Sequence, residues 1–99
     1  MTINKTQNNN ELIVAIEGRL DTNTAVQLET EFKASLDGVE TLVLDLEKLA
    51  YISSAGLRVL LMAQKVMNKQ GDMIIKNVNE DVMEIFDVTG FVDIFNIEE

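Results

Sequence analysis

The 99-residue sequence contains neither cysteine nor histidine. The missing thiols exclude disulfide bonds, and the two absences together exclude the common zinc sites and any histidine-dependent catalytic triad. A chain without cysteine is compatible with the reducing cytoplasm. Proline is also absent, and no linker-like or repeated segment is visible. The sequence therefore predicts one domain over residues 1–99.

Basic residues are scarce, since 8 lysines and arginines face 17 acids and give a net charge of −9. Nucleic acids and anionic membranes are bound mainly through Lys and Arg, so we expect neither as a partner. The acidity either keeps a small protein soluble or favours a partner with a basic face. Residues 1–10 are polar, and no apolar run approaches the ~20 residues that span a bilayer. We therefore expect no signal peptide and a cytoplasmic protein.

The hydrophobic pattern predicts the order β-β-α-β-α-β-α-β. Hydrophobic residues make up 46% of the chain, which is enough for a packed core. Strands that are connected through helices are expected to be parallel, so the fold class is α/β, with a mixed β-sheet covered by helices. Residues 51–54 are predicted as a loop. The predicted strands occupy 2–6, 11–17, 41–46, 73–75 and 94–97, and the predicted helices follow the candidate caps 21–24, occupy 55–70, and follow Asn79.

The segment Asp45–Leu57 is the most informative part of the sequence. A buried strand ends there, and a turn delivers Ser53 and Ser54 to the start of the next helix. Serine is a preferred N-cap, because its hydroxyl accepts hydrogen bonds from the free N–H groups of the first turn. A helix start also tolerates a phosphate group. From the residues alone, capping and phosphorylation both remain open.

Three separated segments together resemble one known family. They are DLEKLAYISSAGLRVLL at 45–61, GRLDTNTA at 18–25 and IFDVTGFVDIF at 85–95. These segments resemble the signature elements of the STAS family, and in particular of its anti-sigma factor antagonists. The resemblance implies a STAS-like sheet, here lacking the usual C-terminal helix. It also places Ser54 at the family's phosphoacceptor position and Ser53 where many members carry Asp.

The resemblance implies a regulatory protein and not an enzyme. Such antagonists, when unphosphorylated, bind an anti-sigma factor that is also a serine kinase, and thereby free a sigma factor. Phosphorylation, here at Ser54, blocks binding, and a serine phosphatase restores it. ATP and magnesium then belong to the kinase, so no cofactor is expected in this chain. The alternative is a scaffold or sensory subunit of another signalling assembly, and we expect a monomer or a weak homodimer.

The resemblance also implies a partner-binding surface around Ser54, with no catalytic or metal-binding residues. Asp21 either orients Ser54 or contacts the kinase, or it only caps the first helix. Gly56 either lets a kinase approach the backbone or is merely tolerated. Leu57 and Leu61 fall outside the main apolar stripe of their helix, so they either form an exposed docking patch or are covered by a curved sheet. The expected surface consists of Asp21, Thr22, Asn23, Ser53, Ser54, Ala55, Gly56, Leu57, Arg58 and Leu61.

Overall fold

The computed structural model describes residues 1–98 and has a mixed sheet with three α-helices. The α/β fold class and the predicted order are confirmed, with one additional short strand. The elements are β1 (Thr2–Asn8), β2 (Glu11–Leu20), α1 (Thr22–Ser35), β3 (Thr41–Asp45), β4 (Leu49–Ile52), α2 (Ser54–Gln70), β5 (Asp72–Lys76), α3 (Glu80–Thr89), a 3-10 turn (Phe91–Asp93) and β6 (Ile97–Glu98).

The sheet has the strand order β1-β2-β3-β5-β6, and β4 pairs separately with β2. The β1–β2 pair is antiparallel, whereas every helix-connected pair is parallel, as the crossover connections require. Gly18 adopts a φ of 95°, and the β2–β4 register shifts between Gly18 and Arg19. This irregularity divides β2 into a first part that pairs with β3 and a last part that pairs with β4.

The core lies between one face of the sheet and the helices. Alternate residues of β2 and β5 point to this face and are buried, whereas the central strand β3 has three consecutive buried residues. The apolar stripes of α1 and α2 close over them, and the two helices also pack against each other. Among residues 1–98, no helix combines the length and the apolar character that a bilayer crossing demands. The sheet and helix side chains that form the core include Leu12, Val14, Ile16, Leu42, Leu44, Met73, Ile75, Leu28, Phe32, Leu60, Ala63 and Met67.

Two predicted boundaries are wrong. Residues 51–54 do not form a loop, because β4 continues to Ile52 and α2 begins at Ser54. The last strand covers Ile97–Glu98 instead of 94–97. The segment before it forms a 3-10 turn, since the ring of Phe95 packs against two other aromatic rings, Phe91 at 5.3 Å and Phe86 at 5.5 Å between centroids.

Candidate functional site

The N-terminal ends of α1 and α2 lie side by side at one edge of the sheet. Leu20 at the end of β2 pairs with Ile52 at the end of β4, and each strand leads directly into a helix. The residue between each strand and its helix is the N-cap, which is Asp21 for α1 and Ser53 for α2. The two loops that the sequence singles out are therefore brought together by strand pairing.

Asp21 is held in a capping box at the start of α1. Its Oδ1 accepts hydrogen bonds from the backbone N–H groups of Asn23 and Thr24, both at 3.0 Å, and its own N–H donates to Thr24 Oγ1 at 2.8 Å. The backbone hydrogen bond from Thr24 holds the pKa of the Asp21 carboxyl below its usual value. The capping interpretation of Asp21 is confirmed. Within residues 1–98, Asp21 and Ser54 share no hydrogen bond.

The two serines at the start of α2 have different environments. Ser53 is half-buried, and its Oγ accepts the backbone N–H of Gly56 at 3.3 Å. Ser54 is the first helical residue and is exposed, and no side-chain hydrogen bond to it occurs among residues 1–98. The structure therefore assigns capping to Ser53 and leaves Ser54 exposed and outside the cap.

The N-terminus of α2 carries the partial positive charge of the helix dipole. Its first turn contains no acidic residue, so no carboxylate of α2 itself neutralises the partial charge of the free N–H groups. Arg58, exposed on the next turn, adds a full positive charge. Phosphate groups are accommodated at helix N-termini for these electrostatic reasons. An added phosphate on Ser54 would meet favourable local electrostatics.

Two of the predicted surface residues are buried. Leu57 is only 4% exposed and belongs to the core, so its predicted place in an exposed patch is wrong and the curved-sheet alternative applies. Gly56 is buried as well, and a Cβ atom there would lie 2.7 Å from Leu20 Cγ and 2.9 Å from Ile52 Cγ1. The packing of α2 onto the strand ends therefore favours glycine at this position, so the alternative of a merely tolerated glycine is wrong, and the role in kinase approach stays a prediction.

The other predicted residues remain accessible to different degrees. Leu61 and Ala55 are half-buried, whereas Arg58 is exposed. Thr22 and Asn23 are also exposed, at the start of α1. The exposed part of the predicted surface therefore comprises the first turn of α1 together with Ser54 and Arg58 on the first two turns of α2.

One feature of this edge escapes sequence reasoning. Arg19 and Tyr51 are partners across the β2–β4 pair, and the guanidinium carbon of Arg19 lies 4.3 Å from the centre of the Tyr51 ring. Both residues are exposed and stand two positions before the N-caps Asp21 and Ser53. This cation–π pair adds an aromatic surface and a cation next to the helix ends. It depends on strand β4, which the sequence pattern does not reveal.

The family model for the STAS domain matches residues 2–99. The chain therefore belongs to the STAS domain family, as the resemblance of its three segments predicts. BtrV of Bordetella bronchiseptica is 42% identical over 88 residues, which cover 87% of this chain and 76% of that protein. The anti-sigma-B factor antagonist of Bacillus subtilis is 32% identical over 92 residues, which cover 92% and 84% of the two chains.

Two solved structures share the fold. An anti-sigma factor antagonist from Mycobacterium paratuberculosis superposes with a TM-score of 0.87 at 23% identity, over 97% of this chain and 83% of that chain. The Bacillus cell fate determinant SpoIIAA in its phosphorylated form gives 0.76 at 16% identity, over 99% and 92%. At these identities the likeness establishes the fold, and the STAS-like architecture is confirmed.

Proposed function

We propose that this protein is an anti-sigma factor antagonist that is switched by phosphorylation of Ser54. The unphosphorylated form binds an anti-sigma factor with serine kinase activity and frees a sigma factor, and the phosphorylated form does not bind. The observation that carries the proposal is the difference between the two serines at the start of α2: Ser53 caps the helix, and Ser54 is exposed. The relatives whose names describe anti-sigma factor antagonists support the partner class.

The modification acts on the docking surface and leaves the fold in place. A phosphoserine adds about −1.5 to −2 charges, and the start of α2 accommodates them without loss of the Ser53 cap. The charge lies beside Asp21 and the exposed residues Thr22 and Asn23, which form the neighbouring part of the surface. Leaving a charge uncompensated in an interface costs about 2–5 kcal/mol, which is roughly 30-fold to several thousand-fold in affinity.

The partner supplies the chemistry of the switch. The Oγ of Ser54 attacks the γ-phosphorus of ATP, the bond to ADP breaks, and the serine proton passes to a base of the kinase. ATP and magnesium are bound by the kinase, and this chain contributes only the acceptor hydroxyl. A serine phosphatase adds water across the phosphate ester and returns Ser54 to its free form.

The acceptor is identified by incubating the full chain with Mg-ATP and each candidate anti-sigma kinase of the host, followed by mass spectrometry of the peptides. We expect one phosphate on Ser54, no incorporation in Ser54→Ala, and continued incorporation in Ser53→Ala, which is the matched control one residue away. Phosphate on Ser53, or no incorporation with any of the kinases, contradicts the proposal. The second result favours the scaffold alternative.

Binding is tested by titrating the anti-sigma factor with Ser54→Ala and Ser54→Asp. The Ala variant should bind within about threefold of the unmodified protein, because it adds no charge. The Asp variant should bind at least about 30-fold more weakly while its circular dichroism spectrum is unchanged. Equal binding of the two variants would show that charge at this position does not control the complex.

A further inference from the structure

The exposed side of α2 carries three basic residues that have no ionic partner among residues 1–98. Arg58, Lys65 and Lys69 are seven and four positions apart, so they lie on one helix face over about 16 Å. The four other lysines are all within 4 Å of a carboxylate, and these are Lys5, Lys33, Lys48 and Lys76. We name the exposed side of α2 the basic face.

The basic face is also apolar between its charges. Leu61, Met62 and Val66 are half-buried and line a shallow groove of about 380 Å³ together with the three cations. Glu29 of α1 lines a cavity together with Arg58 and Met62, and its carboxylate is already bound by Lys33 at 3.0 Å. The surface thus fits an acidic helix that has an apolar side chain among its carboxylates.

A helix of that kind is present in the same chain. The exposed side of α3 carries Glu80, Glu84 and Asp87, and within the described residues none of them forms an ion pair. Val88, on the same side, is 77% exposed and is the most exposed of the large hydrophobic residues. We name this side of α3 the acidic face.

The two faces match in length and in spacing. Glu80 and Asp87 are seven residues apart, as are Arg58 and Lys65, so both pairs are separated by about 10 Å along their helices. The ten residues of α3 extend for about 15 Å, close to the distance of about 16 Å between Arg58 and Lys69 along the basic face. Carboxylates and cations can therefore pair along the whole contact, with Val88 placed among the apolar residues of the groove.

We infer that the basic face of α2 binds the acidic face of α3 on a second copy of this protein. Each copy carries both faces, so two copies associate through one such contact, and through two where the faces meet about a two-fold axis. The net charge of −9 opposes association at long range, but the Debye length of about 8 Å at physiological salt screens the distant acids and leaves the contacting pairs effective. The net negative charge of the protein also disfavours nucleic acid as the occupant of the basic face.

One short helix pair buries little area, so we expect a weak complex, with a dissociation constant on the order of 100 µM.

Sedimentation equilibrium of the full chain, without any kinase, tests this inference at concentrations up to about 1 mM in about 0.15 M salt. We expect a dimer that dissociates in about 1 M salt, because the contacts are ionic. The double variants Lys65→Glu/Lys69→Glu and Glu80→Lys/Glu84→Lys should each be monomeric, since each then presents two faces of like charge. An equimolar mixture of the two should associate again. The α2 face of the first variant is now acidic and matches the α3 face of the second variant, which is now basic, and the two unchanged faces also match.

The matched control is Lys48→Glu/Lys76→Glu, which changes the net charge by the same amount away from the basic face. It should dimerise like the unmodified protein, and the neutral variant Lys65→Gln/Lys69→Gln should weaken the dimer at least about threefold. All substituted residues are exposed or half-buried, and circular dichroism verifies that each variant is folded. A monomeric unmodified protein, or a mixture that stays monomeric, would overturn the inference and would leave the proposal for Ser54 unaffected.

Discussion

The backbone N–H of Ser53 donates a hydrogen bond to the carbonyl of Leu20 at 2.8 Å. This bond joins the residue that caps α2 to the residue just before the cap of α1. Because Leu20 ends β2 and Ser53 directly follows the paired strand β4, the starts of the two helices are fixed relative to each other by the sheet. The candidate docking surface is thus built on a rigid support, which reduces the entropy lost when a partner binds.

Replacement of the neighbouring serines by alanine should have unequal effects on stability. Ser53→Ala removes the N-cap of α2 and should lower the free energy of unfolding by about 0.5–1 kcal/mol, the lower part of the usual range, because its hydrogen bond is long at 3.3 Å. Ser54→Ala should change it by less than about 0.5 kcal/mol. Urea unfolding measures both. Ser53→Asp is the control, since Asp also caps helices, and it should retain the stability. A larger loss for Ser54→Ala would show that the roles are reversed.

Gly56→Ala should destabilise the protein although alanine favours helices. The added Cβ would meet Leu20 Cγ at 2.7 Å, and overpacking of a core costs about 1–3 kcal/mol. A double-mutant cycle with Leu20→Ala tests the cause, because the shortened side chain makes room for the new methyl group. The cost of Gly56→Ala should be smaller in the Leu20→Ala background. Equal costs in both backgrounds would mean that this contact is not responsible.

The contribution of Asp21 to stability should depend on pH. The backbone hydrogen bond from Thr24 lowers its pKa from the ordinary 3.8, so the folded state favours the carboxylate. This stabilisation is complete above the unfolded-state pKa and is lost as the pH falls through the lower pKa of the folded state. Asp21→Asn retains a capping side chain that does not titrate. The stability difference between the two proteins should be constant above about pH 5 and should shift towards the Asn variant below about pH 4. A difference that does not change with pH would contradict this assignment.

Gln64 is a buried polar residue whose unpaired amide oxygen is expected to lower the stability of the protein. It is only 8% exposed, its Nε2 donates to Asn68 Oδ1 at 2.8 Å, and its Oε1 has no hydrogen-bond donor among residues 1–98. Gln64→Met removes the unsatisfied oxygen and keeps the volume, so it should leave the free energy of unfolding unchanged or raise it by up to about 1–2 kcal/mol. Asn68→Ala removes the acceptor of Gln64 Nε2 and should lower the free energy of unfolding by about 1 kcal/mol, because it leaves a second polar atom of Gln64 unpaired. Destabilisation by Gln64→Met above about 1 kcal/mol would show that the buried amide is favourable.

Helices and buried strands of this chain are predictable because their signals are local. Asn79 and Gly90 bound α3 as predicted, with Asn79 Oδ1 accepting the N–H of Val82 and Gly90 in the left-handed conformation. The continuous apolar run of β3 also indicates a buried strand, which the structure confirms. The capping chemistry of Asp21 follows from the same short-range rules.

Strand β4 is not predictable in this way because its pattern does not alternate. Leu49 and Ile52 are buried while Ala50 and Tyr51 are exposed. The register moves from Gly18–Leu49 to Arg19–Tyr51, so Ala50 is an extra residue that breaks the period of two. The burial of Leu57 and the steric need for Gly56 both depend on contacts with distant residues, which periodicity does not report. The Arg19–Tyr51 pair is not predictable either, because it depends on the pairing of β2 with β4.

Because Ser54 is exposed and does not cap α2, folding restricts the residue at this position only weakly. A library of all residues at positions 53, 54 and 56, selected only for folded protein, should enrich capping residues at 53, retain glycine at 56 and accept nearly any polar residue at 54. A selection for regulation, applied to the same library, would restrict position 54 by what a second protein recognises. The difference between the two residue profiles at this single position therefore measures the demands of the partner, separated from the demands of folding.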